Sequence, residues 1–101
     1  MPKKKHYKIS RKQLNELLHI LESCKDALVN HNNFNLSEVL TSEYFETCPN
    51  WFKDSPITKM IYHSLKERDA KKLLAGIDAE IERVETEKVK LMREEIVKYQ
   101  I

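Results

Sequence analysis

Apolar residues fall at three- and four-residue steps along most of the chain, the spacing that gathers side chains on one face of a helix with 3.6 residues per turn. Leu14, Leu17, Leu18, Leu21, Cys24 and Leu28 make the first such face, opposite Asn15, Glu16, Glu22 and Asp26. Ser10 stands ahead of it with Gln13 three positions on, a capping-box spacing, and Ile9 and Leu14 are placed as a hydrophobic staple. The turn-forming run Asn30-His31-Asn32-Asn33 closes the face, so the pattern predicts a helix near 10–30.

Leu36, Val39, Leu40, Tyr44 and Phe45 predict a second, shorter helix over 36–46, with Asn35 as its cap and Cys48-Pro49-Asn50 as its end. Trp51 and Phe52 then fall in a loop or a single turn. Ser55-Pro56 sets a capping residue before a proline at the first helical position, where the missing N–H costs nothing. A helix follows over 56–68 with Ile57, Met60, Ile61 and Leu65 on one face. It either breaks at Arg68-Asp69 or continues into a long helix over 70–99. The predicted fold class is all-α: a small helical bundle with a long C-terminal helix, forming one domain over 10–101 behind a basic, flexible arm at 1–9.

The last helix raises a question of length. Thirty residues at about 1.5 Å each make a rod of roughly 45 Å, whereas a compact domain of this size is about 33 Å across. Self-association is the expected remedy, a homodimer first, with Ile77, Ile81, Val84, Met92, Ile96 and Tyr99 at the interface. Lys88 occupies the gap in that series, and the spacing is nearer an eleven-residue repeat than a heptad, which favours a bundle-type interface over a left-handed coiled coil. The competing expectation is a monomer in which the first helix folds back along the rod and covers about two thirds of it.

Composition narrows the function. One glycine and three prolines in 101 residues exclude a Gly-rich phosphate loop, a dinucleotide-binding βαβ unit and a hairpin-rich β protein. The net charge of +2 hides an asymmetry: residues 1–12 hold six basic groups and no acid, and the other 89 hold 12 basic and 16 acidic groups. Cys24 and Cys48 form no CxxC or zinc spacing and read as buried free thiols. No apolar run is long enough to span a bilayer, and none follows the basic N-terminus as a secretory signal would require, so an intracellular, non-membrane location is expected.

Catalytic chemistry lacks its groups. His6, His19, His31 and His63 are well separated, there is no HExxH and no Cys/His cluster, and nothing local activates a Cys48–His31 pair. Glu80, Glu82, Glu85, Glu87, Glu94 and Glu95 read as a solvated helix face. No enzymatic activity, metal or cofactor is expected. The leading expectation is a homo-oligomeric protein-interaction factor (an inhibitor, adaptor or assembly factor) whose partner-binding patch is Tyr44, Phe45, Trp51 and Phe52. Trp51 also reads as the plug of a small helical core. The alternative is a nucleic-acid-binding accessory protein using Lys3, Lys4, Lys5, Tyr7, Lys8, Arg11 and Lys12, with His6 and Tyr7 as stacking groups. Against that stands an acidic body without a basic recognition helix. A third possibility is an oligomer that sequesters a small anionic ligand between subunits, lined by arm residues such as Tyr7 and Lys8.

Overall fold

Five helices account for nearly all of the described chain: α1 (Arg11–Val29), α2 (Phe34–Thr47), α3 (Asn50–Lys53), α4 (Pro56–Glu67) and α5 (Ala70–Tyr99). The computed structural model describes residues 9–99, with side chains as far as Ile96, and no strand occurs among them. The fold is a small all-α bundle with a long final helix.

Local chemistry sets the boundaries. The Ser10 hydroxyl accepts the Gln13 N–H at 3.1 Å and starts α1. After α1, Asn32 adopts a left-handed conformation with φ 46°, which Asn tolerates better than most residues. The turn delivers Asn33 rather than Asn35 as the cap of α2, its side-chain oxygen accepting the Leu36 N–H at 3.0 Å. The second helix therefore starts two residues earlier than its apolar spacing predicts, and Phe34 becomes its first residue, beneath the Arg68 guanidinium at 4.6 Å. Ser55 caps α4 ahead of Pro56. The long rod does not run on from α4: Arg68 turns left-handed, the Asp69 N–H closes back on Ser64 O at 3.0 Å, and the Asp69 carboxylate accepts the Lys72 N–H at 3.1 Å. That is a helix stop followed at once by a new cap.

The helices pack as α1 on α2, α1 on α5 and α4 on α5. Two ion pairs give the sense of the second contact: Arg11 meets Glu95, and Lys25 meets Asp78 at 2.8 Å. α1 thus runs antiparallel along α5 from near Asp78 to near Glu95. The molecule measures 49 × 31 × 17 Å, long enough to follow its own rod. The rod therefore does not outreach its own chain as its length alone predicts, because the first helix shelters much of α5.

The expected oligomer seam divides accordingly. Ile77 and Val84 are fully buried in the chain's own core, so they are not available to a second copy, and Ile81 is half-buried against the same core. Met92 and Ile96 are exposed. The Tyr99 side chain lies outside the described residues. Ile9, counted with the arm on sequence grounds, is 5% exposed and belongs to the core with Leu14, completing the expected staple. On the other side of α5, Gly76 allows α4 to approach closely: a Cβ there would sit 2.7 Å from Ile61 Cγ1.

Candidate functional site

The aromatic stretch nominated for partner binding is largely interior. Tyr44, Phe45 and Phe52 are buried, and Trp51 is half-buried with its ring edge-on to Phe52 at 5.5 Å. Three of the four rings therefore present nothing to a partner. The sequence could not separate these roles, because interface anchors and core plugs draw on the same residue types.

Tyr44 instead ends in a buried polar cluster. Glu80, read as part of a solvated face, is 0% exposed. It accepts the Tyr44 O–H, and the Arg83 guanidinium donates to its two carboxylate oxygens at 2.9 and 3.0 Å. Arg83 also donates to the Phe52 carbonyl and lies over the Phe52 ring at 3.8 Å. Burial, reinforced by the Glu80 charge, holds the Tyr44 phenol far above its ordinary pKa. Burial likewise pushes the neighbouring Cys48 thiol up to about 11. The cluster ties α2, α3 and α5 together. Among the described residues no buried side-chain N or O atom lacks a partner. Every polar side chain in the cluster is thus engaged within the fold.

A second buried cluster joins α1 to α2. The Cys24 thiol lies 2.9 Å from Ser37 Oγ and 3.2 Å from Thr41 Oγ1, and burial raises its pKa although both hydroxyls oppose the rise. Cys48 and His31 do not form a nucleophile pair: one follows the end of α2 and the other precedes its start, roughly 20 Å apart along the axis.

A surface groove of about 620 Å³ runs between the N-terminal half of α1 and the end of α2, lined by Arg11, Lys12, Glu16, His19 and Glu43 among others. Glu16 and His19 stand three residues apart on one helix, a spacing that metal sites in helical bundles use. Even so, no group of three His, Cys, Asp or Glu among the described residues could hold a metal ion. Of the expected anion-binding set, Arg11 is committed to Glu95, Lys12 borders the groove, and Lys3, Lys4, Lys5, Tyr7 and Lys8 lie outside the described residues.

The outward face of α5 carries the clearest unpartnered apolar surface. Val89, Met92 and Ile96, at steps of three and four, are 48%, 42% and 55% exposed. Beside the stripe Glu82 and Glu85 precede Lys88 and Arg93, whereas Asp78 is turned to Lys25 of α1. No helix among the described residues is long and apolar enough to cross a membrane. Compared with protein-family models, curated proteins and solved structures, the chain matches none.

Proposed function

We propose that the chain acts by binding rather than by catalysis, as a regulatory or assembly factor that works as a homodimer through the outward face of α5. The observation that carries this reading is the exposed apolar stripe on that face, flanked by Glu82 and Glu85 on one side of its centre and by Lys88 and Arg93 on the other. Stripes of this kind leave roughly 1.5–3 kcal/mol ungained for each large side chain kept in water. An antiparallel second copy, centred between Glu85 and Lys88, sets Glu85 opposite Lys88 twice and Ile81 opposite Met92. A twofold axis requires such a self-complementary patch.

Sedimentation velocity on the full chain tests it. The expected species has twice the 12.0 kDa chain mass. Met92→Glu with Ile96→Glu should return it to one chain mass without loss of helical circular dichroism. Glu85→Lys should weaken the pair, and adding Lys88→Glu should restore it. A monomer at high micromolar concentration, or a dimer indifferent to these substitutions, overturns the reading.

A further inference from the structure

The outer face of α4 was not among the expected sites, and its chemistry differs from that of the rest of the body. Residues 13–52 hold one basic and six acidic groups, whereas residues 53–72 hold six basic and three acidic. The body therefore does contain a basic stretch, contrary to the reading of its net charge, and it coincides with α4 and the turn that follows. Lys59, Tyr62, His63 and Lys66 fall at three- and four-residue steps on one exposed side of this helix. Neither lysine takes part in an ion pair among the described residues. The nearby acids are partly engaged: Glu67 pairs with Lys72 at 3.2 Å and Asp69 caps α5, while Glu46 and Lys53 both line a separate shallow hollow beside Tyr62.

Tyr62 gives the face its specific feature. Its ring stacks on Phe45 with centroids 4.4 Å apart and planes within 3°, yet the residue is 54% exposed. Phe45 is buried, and Lys53 beneath it donates to the Phe45 carbonyl at 2.7 Å. One face of the tyrosine is thus held against the core and the other is turned to solvent. An aromatic plane fixed in place, between lysines about 10 Å apart along the helix axis, is the arrangement that stacks an unpaired base while cations meet the flanking phosphates.

We infer that this face of α4 docks single-stranded nucleic acid, with Tyr62 as the base platform and Lys59 and Lys66 as the phosphate contacts. A duplex offers no free base face to Tyr62, and a merely acidic protein would use the lysines without the ring.

Fluorescence anisotropy with a labelled oligothymidylate of about 20 nucleotides, titrated with the full chain at several salt concentrations, tests the inference. Single-stranded probe should bind more tightly than the same sequence as duplex. Tyr62→Ala should weaken binding roughly tenfold, and Tyr62→Phe should retain it. Lys59→Gln with Lys66→Gln should lower the log–log salt slope by about 1.4, at 0.7 per phosphate on a single strand. This double variant leaves the Tyr62–Phe45 stack intact, so it remains decisive if Tyr62→Ala loses helical circular dichroism. The inference is overturned by no binding at low salt, by duplex binding as tight as single-strand binding, or by an affinity and slope that the lysine variant leaves unchanged. In that last case the N-terminal lysines carry the interaction instead.

Discussion

Truncating Arg83 should cost the fold about 2–4 kcal/mol. The estimate starts from the 3–5 kcal/mol typical of breaking a buried ion pair, where the loss comes mostly from the charge left behind. Glu80 is that charge: at 0% exposure it would keep only the Tyr44 hydroxyl as a partner. The lower range applies because the Arg83 side chain is itself 25% exposed, so water can enter the space it vacates. Its contact with the Phe52 ring adds about 0.5–1 kcal/mol. Against a total stability of about 5–15 kcal/mol this is a large share. For a chain of about 100 residues it corresponds to a fall in Tm of roughly 10–25 °C. Urea denaturation followed by far-ultraviolet circular dichroism, at one fixed protein concentration, measures it for Arg83→Ala. A companion variant, Tyr44→Phe with Glu80→Leu and Arg83→Met, removes the three polar side chains together, leaves only the Phe52 carbonyl without its donor, and should recover most of the loss. A cost below about 1 kcal/mol for Arg83→Ala, or a triple variant less stable than the single one, would refute the view that an orphaned carboxylate sets the penalty.

Gly76→Ala should destabilise by about 1 kcal/mol in the same assay: the helix-propensity gain of about 1 kcal/mol is outweighed by an overpacking cost of 1–3 kcal/mol against Ile61. A more stable variant would mean that α4 and α5 are not in close contact there. Stability should be full below pH 9 and fall between pH 9 and about 11, because the unfolded Cys48 thiol ionises from its ordinary value of 9.0 while the folded one stays neutral up to about 11. Tyr44 acts in the same direction above pH 10, and Cys48→Ala should flatten the first part of the decline in pH-dependent urea midpoints. Asp69→Ala should cost about 1 kcal/mol by removing the cap of α5, with Asp69→Asn retaining most of it.

Helix boundaries were legible wherever a cap accompanies the apolar period. Ser10 and the Ser55-Pro56 pair each sit where the spacing places a start, and at Asp69, where the spacing left a break or a continuous helix open, the structure has the break. Asn33 was harder to see because four polar residues in a row offer competing caps, and only the left-handed Asn32 decides among them. Burial was less legible than periodicity. Glu80 stands three residues after Ile77 and four before Val84, so the helical period puts it on the buried face; its charge and its neighbours Glu82 and Glu85 masked that signal, and its partner Tyr44 lies 36 residues away. The nominated aromatic patch failed for a related reason, since Tyr44, Phe45 and Phe52 face a core that exists only once α2, α3 and α5 meet. Tyr62 went unremarked because its exposure depends on Phe45 taking one side of the ring and leaving the other.

The antiparallel run of α1 along α5 brings Arg11 to Glu95, so the two ends of the described core emerge at one pole. Tension applied across those ends would load the Arg11–Glu95 pair first and the Lys25–Asp78 pair later, one helical turn after another. Such geometry unzips rather than shears. The bundle should therefore yield to a pulling force far more readily than its resistance to heat or urea would suggest.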